Sequence, residues 1–200
     1  TRGREPARST RADLARRAVE SEDAIRARRD AKQLGRAATL VCALDLLRKE
    51  QPTRLGDVRF SVGLWVGRSA TANTMEQVKK LIIDFKNSAS KNASSPFPLT
   101  NCPWCNRRLG RDSLVLAPNR TRPEEVVVSC VSAPGEPPSD CAFSPRKNAE
   151  GLPVVFVDEQ IYRELPSFLV ATVDKFAMLP WRGETGMLFG RVSAITRHKF

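Results

Sequence analysis

Four of the five cysteines fall into two pairs, and no other residues in the chain have as much chemistry to offer. Cys102 and Cys105 bracket Pro103-Trp104 in a C-x-x-C spacing, and Cys130 and Cys141 follow after a long gap. Paired thiolates fit a tetrahedral zinc shell. A shell of four sulfurs leaves no position open for water, so the expected role is structural rather than catalytic. A C-x-x-C turn delivers two sulfurs and points backbone N–H groups at them. The residue after the second cysteine then often needs positive φ, which Asn106 accepts at small cost. Arg107 and Arg108 follow and can offset the negative charge of the sulfurs. The second pair is wider than an ordinary knuckle, but its Ala133-Pro-Gly-Glu-Pro-Pro-Ser-Asp140 stretch is loop material, so an expanded knuckle is expected. An iron–sulfur cluster and four unrelated reduced cysteines are the competing explanations. Cys42 has no partner at ligand spacing and sits inside a helical pattern, where a buried free thiol is expected. His198 is the only histidine and lies far from the cysteines in sequence.

A second stretch with chemical potential is Phe168-Leu-Val-Ala-Thr-Val-Asp-Lys-Phe-Ala177. It has the pattern of a strand running into a helix start, with Thr172, Asp174 and Lys175 at the junction. Free N–H groups and a hydroxyl at such a junction suit a phosphate, although ordinary helix capping accounts for the same residues. Val154-Val-Phe-Val-Asp158-Glu159 is similar to the strand and acidic pair that hold magnesium in nucleotide hydrolases. That role needs a G-x-x-x-x-G-K-[ST] loop to cradle the phosphates, and the chain has none. Tyr162, Arg163 and Pro166 follow closely, so Asp158-Glu159 is expected on a surface turn. Ser69-Ala70-Thr71 matches a helicase tripeptide that is too short to carry weight.

The 200 residues suffice for one domain or one domain with an insert, and 41% are hydrophobic, enough for a core. The net charge of +11 is spread along the chain, which points to an anionic partner, nucleic acid before acidic lipid. A basic solvated surface would account for the same charge. Thr1-Arg-Gly-Arg-Glu5 opens no apolar leader, and no apolar run approaches the roughly 18 residues of a membrane span. A cytoplasmic protein with no membrane partner is expected, a setting in which paired cysteines hold metal more often than disulfides. Neither end has the pattern of a natural terminus, since no Met opens the chain and Phe200 interrupts a segment.

The elements that must position these residues read as α/β. Residues 1–33 are a charged stretch, helical or disordered. Ala37, Leu40, Val41, Leu44 and Leu47 give 34–50 the apolar face of a helix, with Pro52 just beyond it. Val58, Phe60, Val62, Leu64 and Val66 alternate as a strand over 57–66, which Gly67 breaks. Thr74 and Gln77 make a capping box for a helix that turns Met75, Val78, Ile82 and Phe85 inward. Residues 87–100 are a linker. Residues 101–150 hold the cysteines and one short strand, Val126–Val128, in a segment stapled by metal rather than by a core. Strands follow at 152–157 and 167–171, and a helix starts at Thr172 or Val173 and stops near Pro180. Helices alternating with buried strands predict a parallel sheet.

Taken in order, Gln33 to Arg48, Val62-Gly-Leu-Trp-Val-Gly67 with Ala70-Thr-Ala-Asn-Thr74, the four cysteines, Val157-Asp-Glu-Gln-Ile-Tyr-Arg163 and Ala171-Thr-Val-Asp-Lys-Phe-Ala177 resemble the first motor domain of a large bacterial superfamily 2 helicase. The type is that of the DISARM anti-phage system, and the resemblance covers roughly 33–192. It implies a partial RecA-like sheet over 34–90 and 151–200, interrupted by a Cys₄ zinc-ribbon insert at 101–150. It places Thr172, Asp174 and Lys175 on motif Ib, which contacts the nucleic-acid backbone, and Gly67 on a loop brought to the strand. It implies DNA, single-stranded or duplex, as partner, with further defence-system subunits. The family's ATP-binding loop would lie upstream of residue 33, and 1–32 do not contain it. Its Asp-Glu-x-His box would lie beyond Phe200, so ATP and Mg²⁺ belong to the complete parent enzyme.

The sequence therefore reads as part of an ATP-dependent DNA helicase or translocase that contributes backbone contacts without the ATPase motifs. A zinc-ribbon nucleic-acid-binding module with no motor ancestry is the alternative, and an interaction domain whose zinc only holds the fold is a third. Phosphoryl transfer depends on positioning and charge neutralisation at the β- and γ-phosphates, and the loop that does this is missing. The chain alone is expected not to hydrolyse ATP. A DNA-stimulated ATPase activity abolished by Glu159→Gln would overturn that expectation.

Overall fold

The computed structural model describes residues 11–67, 71–90, 93–177 and 183–189, excluding the side chains of 11–28, 174, 184, 185 and 189. Among the described residues five α-helices and five strands run in the order α1 (Arg11–Glu50), α2 (Pro52–Leu55), β1 (Val62–Trp65), α3 (Met75–Asn87), β2 (Leu114–Ala117), β3 (Glu125–Val128), β4 (Val154–Val155), α4 (Asp158–Glu164), β5 (Phe168–Ala171) and α5 (Val173–Ala177). Strands β4, β1 and β5 form a parallel sheet in that order, while β2 and β3 form a separate antiparallel pair. The expected α/β class with a parallel sheet is present.

Strand β1 is the middle strand, and all four of its residues are buried. A parallel strand covered on both faces needs apolar residues at every position, so simple alternation describes it poorly. Its side chains divide between two layers. Val62, Leu64 and Val66 enter the main core with Val154, Val78 and Ile82. Trp65 turns to the opposite face with Val155 and Ile161. Gly63 belongs on that second face. A Cβ there would meet Leu169 at 2.7 Å and Pro166 at 2.8 Å, so glycine lets β5 and the turn that leads into it come this close. The strand expected over 57–66 is shorter than its pattern: Val58 is exposed and 57–61 are not strand, although Phe60 does pack on the core.

Helix α1 is longer than its apolar pattern and is turned relative to it. The inward face carries Leu34, Ala38, Val41, Cys42, Asp45 and Arg48, all buried. Of the residues expected inside, Val41 is buried, whereas Leu40, Leu44 and Leu47 are 62%, 36% and 44% exposed. A charged residue sits inward because it is matched there. The Asp45 carboxylate accepts a hydrogen bond from Arg48 Nε at 3.0 Å and lies 3.5 Å from Arg59 Nε. Arg59 in turn donates to the carbonyls of Glu150 and Gly151, which ties α1 to the chain entering β4. Cys42 is a buried free thiol as expected, and burial, followed by the nearby Cys102, pushes its pKa up to about 12.

Helix α3 follows its sequence pattern closely. Thr74 accepts from the Gln77 N–H, and the Gln77 side chain reaches back to the Thr74 N–H, completing the capping box. Met75, Val78 and Ile82 are buried, and Phe85 packs against the core from its edge.

The cysteine-bearing stretch departs from its expectation in two ways. It has two strands rather than one, because Leu114–Ala117 pairs antiparallel with Glu125–Val128. It is also not held by cysteines alone. Leu114, Leu116, Val126, Val128 and Phe143 belong to the same buried cluster as Val62 and Val78. The return into β4 is tight: Leu152 N–H donates to Val128 O at 2.6 Å, and Gly151 makes the turn at φ 66°. A side chain at Gly151 would run into the Val128 carbonyl oxygen.

Gly151→Ala is accordingly expected to lower stability by about 2 kcal/mol or more, from the left-handed backbone and the backbone clash together. The urea midpoint should fall with the m-value unchanged. A midpoint matching the parent's would show that the turn can relax.

Candidate metal centre and strand-edge site

The four cysteines converge. All four sulfurs lie within 4.8 Å of one another, with Cys105 and Cys130 3.5 Å apart and Cys102 and Cys141 3.9 Å apart. The edge of a tetrahedron built on Zn–S bonds of about 2.3 Å is about 3.8 Å, so the spacing suits a metal ion of that size. Three segments bring the sulfurs together: the 102–105 turn, Cys130 just past β3, and the return of the 131–140 loop at Cys141.

Local geometry prepares each sulfur. In the first turn Asn106 N–H donates to Cys102 O at 2.9 Å and Cys102 N–H to Arg107 O at 2.7 Å, while Asn106 takes φ 61°. This is the left-handed conformation expected of it. The Asn101 side-chain amide holds Asn106 in place through its carbonyl and side-chain oxygens. In the second pair the Phe143 N–H reaches Cys141 Sγ at 3.5 Å, as expected of a knuckle with a long loop. Cys130 N–H donates to Phe143 O at 2.9 Å, which keeps the two ligands of the pair in register despite the loop between them.

The electrostatics set Cys105 apart from Cys102 and Cys141. Burial pushes Cys102 up to about 11 and raises Cys141 further still. For Cys105 burial also raises the pKa, but the Arg107 N–H and the neighbouring sulfurs outweigh it and leave the thiol below its ordinary value. Cys105 is the exposed member of the set and deprotonates more readily than Cys102 or Cys141. Arg107 does not turn its charge wholly to the sulfurs, because its guanidinium pairs with Glu136 at 2.9 Å and donates to Ser132. The knuckle is anchored to α1 by the Thr39 hydroxyl, 3.0 Å from Pro103 O. Trp104 packs edge-on against Phe143 with ring centres 6.0 Å apart.

The second set of residues gathers at the carboxyl ends of the parallel strands. Register pairs Trp65 with Ala171, so Gly67 and Thr172 both lie just past the same edge of the sheet. Thr172 N–H donates to Trp65 O at 3.3 Å, and Thr172 O receives Lys175 N–H at 3.0 Å to open α5. The Thr172 hydroxyl oxygen is shielded from solvent and has no hydrogen-bond partner among the described residues. The side chain of Asp174 lies outside the described residues, as do Ser69, Ala70 and His198.

Lys175 is already paired. Its ammonium meets the Asp158 carboxylate at 2.5 Å, and both side chains are largely buried. The same ammonium sits 5.7 Å from the centre of the Trp65 ring. Asp158 is thus not on a surface turn: it is a buried residue in the first turn of α4, made tolerable there by a cation from α5. Glu159, its exposed neighbour, accepts from the Met75 N–H at 2.6 Å and so caps α3. An acidic pair directly after an apolar strand is the sequence signal for these two contacts. Nothing local in the sequence shows that their partners are Lys175 and Met75.

One metal ion per chain is expected on metal analysis of the purified protein, and Cys102→Ser should lose it together with the fold of the 101–150 segment. A metal-free preparation that is folded and indifferent to Cys102→Ser would exclude the centre. Retention of metal after Cys141→Ser would remove only that ligand.

No protein-family model matches the sequence. Over 165 residues the chain is 30% identical to the DISARM protein DrmA of Bacillus paralicheniformis, an alignment that takes in 81% of this chain but spans only 14% of the length of that protein.

Proposed function

We propose that the chain is the nucleic-acid-tracking portion of a superfamily 2 helicase or translocase that works within an anti-phage defence system, with a zinc ion at Cys102, Cys105, Cys130 and Cys141. The observation that carries this reading is the convergence of Gly67 and Thr172–Lys175, about 100 residues apart, on the carboxyl edge of one parallel sheet. In open parallel sheets this is the edge where ligands bind. The similarity to the DISARM protein DrmA supports the defence setting. The net charge of +11 supports DNA as the partner.

In this reading 34–90 and 151–200 form part of a RecA-like domain and 101–150 are a zinc-ribbon insert. The zinc ion holds three chain segments together and takes no part in a reaction. Backbone N–H groups at the start of α5 meet a phosphate of the strand, and the Thr172 hydroxyl, shielded and without a partner in the free chain, joins them once its side chain turns outward. Lys175 contributes less charge than its position implies, because Asp158 already neutralises it, and its main effect is to hold α5 against Trp65. ATP and magnesium act in the complete enzyme, whose closure would move the strand along this edge.

Salt titrations of a fluorescent single-stranded oligonucleotide test the assignment. Thr172→Val should weaken binding about fivefold, the equivalent of one net hydrogen bond, without changing the salt slope. Lys175→Ala should weaken binding and lower stability by about 3 kcal/mol, since it leaves a buried carboxylate without its cation. It should reduce the salt slope by less than one phosphate's worth. If both variants bind like the parent, this edge is not the contact surface.

A further inference from the structure

We propose that the cleft between the end of α3 and the cysteine-bearing segment is a second binding site for single-stranded nucleic acid, one that takes up unpaired bases. It rests on the reading that this chain grips nucleic acid, but it uses residues which that reading leaves idle. The cleft has a volume of about 700 Å³, within the range of ligand sites in general. Phe85, Leu109 and Val131 give it an apolar lining, and Arg107, Arg108 and Arg111 stand around it with Asp112 and Glu136, which leaves one positive charge in excess.

The three arginines are not equivalent. Arg107 is neutralised by Glu136 at 2.9 Å. Arg111 is held in place by two backbone carbonyls, Ser88 O at 2.8 Å and Ser90 O at 2.7 Å, and its guanidinium lies 5.8 Å from the centre of the Phe85 ring. Carbonyls orient the guanidinium without cancelling its charge, so the pair is a fixed, planar, positively charged platform beside an aromatic ring. Arg108 is exposed and makes no ion pair among the described residues. The backbone on either side of it is pinned by the Asn101–Arg108 bridge and by the Leu109 N–H to Thr100 O bond at 2.9 Å.

An apolar lining flanked by a guanidinium fixed beside an aromatic ring and by a free one matches the needs of a single strand. Bases pack on aromatic and guanidinium planes whatever their sequence, while cations take the phosphates. A duplex, with its bases stacked inside, has no use for the lining. The cleft lies on the segment that carries the cysteines, so the metal centre would fix the geometry of a binding surface as well as the fold.

The test uses the full chain and fluorescein-labelled dT20, read by anisotropy over a range of salt. Arg108→Glu is the principal variant, because its exposed side chain makes no hydrogen bond or ion pair among the described residues. It should weaken dT20 binding about tenfold and lower the salt slope by about one, with metal content and thermal unfolding unchanged. An abasic oligonucleotide of equal length should bind the parent at least tenfold more weakly than dT20, since the lining would have nothing to stack. Combined with Thr172→Val, the effects should multiply, as expected of separate contacts. If Arg108→Glu binds dT20 like the parent while Thr172→Val does not, the cleft proposal falls and the strand-edge reading stands. If only Arg108→Glu loses binding, the cleft stands and the strand edge is the site that fails. No binding of dT20 to the parent would overturn both. Polyglutamate that competes with dT20 at equal charge, in an Arg108-dependent way, would replace the nucleic acid by an acidic protein partner and overturn the proposal.

Discussion

The backbone of β1 has to be satisfied from both sides, and the rest of the structure follows from that. Val62–Trp65 is fully buried, so each unpaired N–H or C=O would carry a heavy desolvation cost. Its partners are β4 and β5, which begin at Val154 and Phe168. A sheet whose middle strand precedes its neighbours by about 90 residues forces the intervening chain to leave and return with its ends close together. The tight turn at Gly151, the Leu152–Val128 hydrogen bond and the grip of Arg59 on the Glu150 and Gly151 carbonyls all serve that return.

Buried charge marks the places where distant segments are joined. Asp45 on α1 meets Arg48 and Arg59, and Asp158 on α4 meets Lys175 on α5. Such pairs add little net stability compared with apolar packing, but removing one member leaves a charge without solvent or partner. They therefore define which packing is allowed more than they strengthen it. The Asp158–Lys175 pair sits under the junction where β5 passes into α5, beside the Trp65 ring. Lys175, which in sequence stands at a junction suited to phosphate, is in the fold also the partner of a buried carboxylate.

The cysteine centre has a comparable double character. Cys102, Cys130 and Cys141 are buried members of the main core, not an outlying knuckle. The loop of 131–140 can be long because the Phe143 backbone ties Cys130 and Cys141 together from behind it. The same segment forms one wall of the cleft lined by Phe85 and the three arginines, so the fold of the segment also sets the shape of the proposed site.

Much of this was legible in the order of residues. Helix α3 is specified locally, by a capping box and a 3.6-residue apolar period, so nothing distant can move it far. The C-x-x-C turn and the left-handed Asn106 are likewise properties of a few neighbouring residues, and the four cysteines could be grouped because so few other ligands compete. What the sequence could not decide was anything set by a partner far along the chain. The inward face of α1 was misplaced because Asp45 is buried only if Arg59 arrives to meet it, and leucines at 40, 44 and 47 give the stronger local period. Strand β2 is not legible in sequence because four residues carry too little periodicity to stand out until β3 pairs with them. Asp158 read as exposed because its cation lies 17 residues later and on another element. Local propensity acts through neighbours in sequence, whereas the burial of charge and the pairing of strands depend on neighbours in space, and those exist only once the sheet has closed around β1.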